Sequence, residues 1–134
     1  MSLSFEVVRN TLVQEIVNVK DDLGIPLFWE NRESAQLDAV HGAFLTVDID
    51  FNSGVRAGLD RTAFNAGVLV LTHFTRVGTG TAEELRVGDI LASALAMRVL
   101  GDMTLSLGAI QPGDKGVKQG WRTKEWLIPF SFYA

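Results

Sequence analysis

Gly67-Val68-Leu69-Val70-Leu71-Thr72-His73-Phe74-Thr75-Arg76-Val77-Gly78-Thr79-Gly80-Thr81-Ala82-Glu83-Glu84 holds the sharpest change of pattern in the chain. Its first part is dense in β-formers and predicts a strand from Gly67 to Arg76. Thr81 and Glu84 then stand in capping-box spacing, and Glu83 and Glu84 fall in a first helical turn, where the helix dipole favours acids. A helix over about 82–99 follows. Val87, Ile90, Leu91, Ala94 and Leu95 face inward, and Gly88, Ala92 and Ala96 are small enough to let the helix lie close to a sheet. Gly78-x-Gly80 lacks the Lys-Ser/Thr ending of a phosphate loop and the third glycine of a dinucleotide fingerprint. Glu83 and Glu84 would also repel an anion, so the stretch reads as a plain strand-to-helix turn.

Upstream, Ala43 to Phe51 alternates strictly. Leu45, Val47, Ile49 and Phe51 lie on one face and Phe44, Thr46, Asp48 and Asp50 on the other, which predicts a half-buried strand. Residues 52–66, with Gly54, Gly58 and the charges Arg56, Asp60 and Arg61, read as a long loop joining the two strands. Gly24 to Asn31 is a short extended segment held by Pro26, and 31–42 is polar and irregular. Phe5, Val8, Leu12, Ile16 and Val19 recur at spacings of three and four, which predicts a helix over 2–20 with Ser2 or Ser4 as its cap.

Downstream, Leu105, Leu107 and Ala109 alternate in a third strand, and Pro112-Gly113-Asp114-Lys115-Gly116 reads as a turn. Trp121 to Tyr133 is a fourth strand, with Trp126, Ile128, Phe130 and Phe132 on one face. Pro129, which cannot donate to a ladder, suggests a sheet edge. The expected fold is α+β in the order α-β-β-α-β-β. It has a four-stranded sheet, antiparallel or with a mixed pair, and two helices on one face, in a single domain over 1–134.

Composition narrows the function. With 47% hydrophobic and 21% charged residues the 134-residue chain is globular, and its net charge of −4 gives no electrostatic reason to bind nucleic acid. The absence of cysteine removes disulfides and zinc–thiolate sites. Met1-Ser2-Leu3-Ser4-Phe5-Glu6 has no basic stretch before an apolar run, so no secretion signal is expected. No apolar run approaches the ~20 residues of a membrane span. Synthesis in the cytoplasm, with no membrane partner, is the expectation.

Chemistry-bearing residues are few. His41 and His73 are the only histidines, with no helical ligand spacing, so no metal site is expected. Asp48 and Asp50 project from one strand face and read as solvated. No nucleophile elbow is present. Neither catalytic residues nor a cofactor are expected. Phe5, Phe44, Phe51, Phe74, Trp126, Phe130 and Phe132 read as core. Trp29 and Trp121, beside turns, either lid the core or make an oligomer contact. Arg56, Arg61 and Arg76 are scattered and read as surface.

The order of motifs is similar to that of a known family. Those motifs are Pro26-Leu27-Phe28-Trp29-Glu30-Asn31, the strand from Ala43 to Phe51, and the passage from Val68 through Gly78-Thr79-Gly80-Thr81-Ala82-Glu83 to Leu95. Gly120-Trp121 and the ending Ile128-Pro129-Phe130-Ser131-Phe132-Tyr133 complete the set. Together they resemble phage and prophage tail-completion proteins of the lambda minor-tail-protein-U type, over nearly the whole chain except residues 52–66. The resemblance implies a virion tail protein made in a bacterial host and no enzyme. It implies a homo-hexameric ring that caps the tube of major tail subunits, ends polymerisation and meets a head-completion or connector protein. Arg56, Asp60, Arg61, Trp29 and Trp121 are the expected oligomer or tail-tube contacts, with the 43–76 hairpin reaching a neighbour and strand 123–133 as an edge for pairing. Deleting 54–62 is then expected to abolish capping and spare the fold. The alternatives are another neck or head–tail connector component, or a small-ligand-binding domain or enzyme using Asp48, Asp50 and His73.

Overall fold

A computed structural model describes residues 4–29, 42–56, 63–78, 81–100, 105–118 and 120–133 of the chain, with backbone alone at 52–56, 63, 64, 114, 115 and 118. Its elements are helix α1 (Phe5–Leu23), strands β1 (Leu27–Trp29), β2 (Phe44–Arg56) and β3 (Ala63–Arg76), helix α2 (Ala82–Leu95), and strands β4 (Val99–Leu100), β5 (Leu105–Leu107), β6 (Gln111–Lys118) and β7 (Trp121–Tyr133). Hydrogen bonding orders them β1-β2-β3-β7-β5-β4, with β6 also paired to β7. Among the described residues only β1–β2 is parallel; the other pairs are antiparallel. The α+β expectation of a four-stranded sheet is therefore corrected. Among the described residues the sheet has seven strands and is mixed, strand outweighs helix, and the fold is mostly β.

The added strands are β1 in the extended segment at 24–31, β4 at the end of the stretch expected as helix over 82–99, and β6 in the expected turn, and three local readings are corrected. Residues 52–56 and 63–66, expected in a loop, are strand: after an irregularity between Phe51 and Ser53 the ladder continues through Ser53↔Ala66 to Arg56↔Ala63, and 57–62 lie outside the described residues. Asn52, Ser53 and Gly54 are poor β-formers, yet a strand already paired upstream extends at little cost once a bulge absorbs the mismatch. A deletion of 54–62 would thus remove the end of β2, Gly54 to Arg56, and take from Ala63, Phe64 and Asn65 of β3 their partners on that side. Pro112 to Gly116 is not a turn but most of β6, kinked where its register shifts between Asp114 and Gly116. The reversal falls at Gly120, whose φ of 83° is one that side chains rarely adopt.

The third concerns β7, which is no edge strand. It has β3 along one side and both β5 and β6 along the other. Pro129 is tolerated because β6 pairs with 121–127 and β5 with 130–132, so the proline falls in the gap between two partners. Its carbonyl accepts from the N–H of Gly108 at 2.8 Å on that same side. The missing donor therefore faces an interrupted edge, as the chemistry of proline requires.

Alternation decides what the sheet buries. Leu45, Val47, Leu69, Leu71, Trp126, Ile128, Phe130 and Phe132 join Val8, Leu12, Ile16, Val19 and Leu23 of α1 and Val87, Leu91 and Leu95 of α2 in one core. Both helices therefore cover one face. Ser4 caps α1 by accepting from the N–H of Val7 at 3.1 Å, and Gly24 ends it in the left-handed conformation at φ 68°. The capping box expected at α2 does not form: the Thr81 side chain makes no cap bond, and Glu84 is turned toward the sheet. Among the aromatics expected in the core, Phe5 and Phe51 are 50% and 38% exposed.

α2 lies so close to β7 that a Cβ at Gly88 would enter the indole of Trp126 well inside van der Waals contact. Gly88→Ala is expected to cost about 1–3 kcal/mol by overpacking. Combining it with Trp126→Phe, which removes the colliding ring, should recover part of that loss in chemical denaturation. Purely additive costs would show that the close approach is not what constrains the glycine.

Candidate functional site

The face of the sheet turned away from the helices carries one concentrated feature. Phe28, Phe44, Phe74 and Trp121 come from four different strands and meet there because register places Phe28 beside Thr46, Phe44 opposite Phe74, and Arg76 opposite Trp121. Phe44 and Phe74 stack with ring centres 4.6 Å apart, while Phe28 and Trp121 meet Phe44 edge-on at 5.6 and 5.1 Å. The Arg76 guanidinium lies over the Trp121 ring at 3.7 Å from its centre. Phe44 is buried by this packing, Phe28, Phe74 and Trp121 are half-buried, and Arg76 is exposed. Each edge or stacked pair contributes about 0.5–1.5 kcal/mol beyond its buried area. Arginine stacked on tryptophan at a rim is the residue chemistry enriched where proteins meet proteins.

Of the contacts expected from sequence, Trp121 is at this site. Trp29 is not: it lies on the helix side of β1 and packs against the core. Asp60, Arg61 and the side chain of Arg56 lie outside the described residues. Arg76, read from sequence as a scattered surface charge, belongs to the site, and only its pairing with Trp121 across the β3–β7 ladder could have revealed that.

A second cluster sits under the N-terminal half of α2. Glu84, 2% exposed, accepts from Nε of Arg122 at 2.6 Å. Beside it in the sheet, His73 and Thr75 are buried, and both His73 ring nitrogens, Thr75 Oγ1 and Trp126 Nε1 have no hydrogen-bond partner among the described residues. Burial lowers the imidazole pKa, opposed by the charges of Glu83 and Glu84 and aided by Arg86. The hydrogen bond from Arg86 lowers the pKa of Glu83. Arg86 also donates to the carbonyls of Asp22 and Leu23, tying α2 to the C-terminal end of α1.

His73 lies on the helix face and Asp48 and Asp50 on the other, because Leu45 pairs with His73 while Asp48 and Asp50 pair with Val70 and Val68. The three groups named for a ligand site or enzyme are thus separated by the sheet. Among the described residues no cluster of three metal-ligating side chains occurs, and no helix is long and apolar enough to cross a membrane.

No protein-family model and no curated protein matches the chain. A solved structure does. It aligns over 97% of this chain and 96% of the other at a TM-score of 0.69 with 13% identity. At that identity the likeness speaks for the fold alone, and the coverage in both directions makes it a likeness of whole chains.

The Glu84–Arg122 pair yields an asymmetric prediction. Arg122→Met strands a buried carboxylate and is expected to cost about 1–3 kcal/mol. Glu84→Gln, which leaves a neutral acceptor facing a partly exposed arginine, should cost less. Urea denaturation of the two variants at neutral pH measures the difference, and equal losses would mean the carboxylate does not depend on its partner.

Proposed function

We propose that this chain is a phage or prophage structural protein. Copies of it form a ring on the end of the tail tube, stop polymerisation there and offer a surface for head joining, with no bond made or broken. The observation that carries the reading is the half-buried aromatic patch with Arg76 stacked on Trp121, on the sheet face that the helices leave. The ordered motifs that resemble tail-completion proteins give the patch its context. A contact between unlike surfaces, repeated by rotation, closes a ring when the rotation closes. An aromatic and arginine anchor on a rigid sheet is suited to such a contact, because little side-chain freedom remains to be lost on binding.

The test belongs in the parent phage or prophage. Disrupting the gene should give headless tails of uncontrolled length under the electron microscope, and particles with normal tails would overturn the reading. Arg76→Glu should retain the circular dichroism spectrum and melting temperature of the parent to within a few degrees. It should nonetheless fail to complement the disruption, whereas Arg76→Lys should complement partly, since an ammonium keeps the charge and loses the plane that stacks. Full complementation by Arg76→Glu would remove the patch from the mechanism.

A further inference from the structure

His73 is an unusual residue to seal between a helix and a sheet. Its side chain is fully buried, and neither ring nitrogen meets a hydrogen-bond partner among the described residues. An aliphatic group of similar size would lose nothing there, whereas a neutral imidazole forfeits its hydrogen bonds to water and a charged one forfeits far more. The groups that face it are known from each element packed around it. From α2 come Glu83, Glu84 and Arg86; β7 brings Lys124 as the cross-strand partner and Arg122 one row beyond; β2 brings only Leu45. The two carboxylates are already engaged, Glu83 by Arg86 and Glu84 by Arg122. A proton added to the ring therefore has no uncommitted counter-ion among these groups.

The helix half above this seam is held differently from the half that follows. From Leu91 to Leu95 α2 is fastened by leucines in the common core. Its first turns rest on Glu84–Arg122, on Val87, and on the close approach of Gly88 to Trp126.

We propose that His73 is an acid-operated latch: charging its ring lifts the N-terminal half of α2, Ala82 to Asp89, off β3 and β7 while α1 and the strands stay folded. Lifting admits water to the imidazole, to Thr75 Oγ1 and to Trp126 Nε1, the buried polar groups without partners among the described residues in the closed form. The direction follows from linkage. A base whose pKa in the closed form lies below its ordinary 6.5 binds protons more readily when open, so closure is complete above pH 6.5 and weakens as pH falls below that value. One proton per latch sets a ceiling of about tenfold in the opening equilibrium per pH unit. The inference rests on the packing under α2 and stands whether or not the protein caps a tail.

Hydrogen exchange from pH 7.5 to 5.0, corrected for the intrinsic pH dependence of amide exchange, reads the opening directly. Amides of 85–89 should lose protection as pH falls, approaching tenfold per unit, while those of α1 and β7 keep theirs. His73→Leu should hold α2 closed over the whole range and be at least as stable as the parent at pH 7.5. Because His41 is the only other histidine, the imidazole signal missing from the variant's NMR spectrum identifies that of His73, and His73→Phe serves the same purpose should the leucine variant not fold. An imidazole titrating at or above 6.5 would overturn the latch, since a carboxylate would then have taken the charge in place. So would acid opening that persists in the leucine variant, or α2 protection that lasts until the whole domain unfolds.

Discussion

The antiparallel ladder from Phe64↔Tyr133 to Arg76↔Trp121 decides what the other elements can do. Side chains along a strand alternate, so one continuous register assigns every residue of β3 and β7 to a side. Leu69, Leu71 and His73 fall with Trp126, Ile128 and Phe130 toward the helices; Phe74, Arg76 and Trp121 fall away from them. A slip by one residue would expose the core strip and bury Glu125 and Arg76 together. The register is held because both faces bear on it: an apolar core on one side, and on the other a stack of rings that closes only when Phe44, Phe74 and Trp121 share a row end.

Seating the helices on that sheet is a matter of small side chains and terminal carbonyls. Gly88 lets α2 come down on the Trp126 indole. Arg86 then reaches the last carbonyls of α1, the groups a helix leaves without internal partners. Arg98 does similar work at the other end, donating to the Ala94 carbonyl and to Glu15 of α1. The price of the close fit is the polar seam at His73, Thr75 and Glu84, where the apolar core gives out before the helix does.

How much of this could be read from sequence depended on whether the signal was local. The alternation of Trp126, Ile128, Phe130 and Phe132 and the three–four spacing in α1 are local, and each marked its element within a few residues. Polar strands defeated the reading. Asn52-Ser53-Gly54 and Pro112-Gly113-Asp114-Lys115-Gly116 have turn composition, yet both lie in strands because a neighbour supplies the hydrogen bonds that propensity alone would not secure. Thr81 and Glu84 had the spacing of a cap, but the half-buried Arg122 offers the carboxylate a stronger partner than a backbone amide does. Pro129 marked a real interruption and misled about its place, since sequence cannot show that two strands share one edge of β7. At the candidate site, Trp121 stood out by composition. Its partners could not, for their meeting is a property of four strands in register.

The same topology argues about how copies of this chain would meet if they assemble as proposed. β7 has both sides occupied, so pairing through it is closed. β6 has β7 on one side, and its sequence, with Pro112, Gly113, Asp114, Lys115 and Gly116 and a register shift in the middle, is of the kind that blunts a strand edge against further pairing. Backbone augmentation at β6 is therefore disfavoured, and a contact there would have to be made by side chains. The aromatic and arginine patch is built for that mode. Its rings are already fixed by one another, so a partner would meet a surface whose shape does not depend on the partner's arrival. That separates it from a flexible arm, and on the proposed reading a change of charge at Arg76 would bear on assembly while leaving the packing of Phe44 beneath it in place.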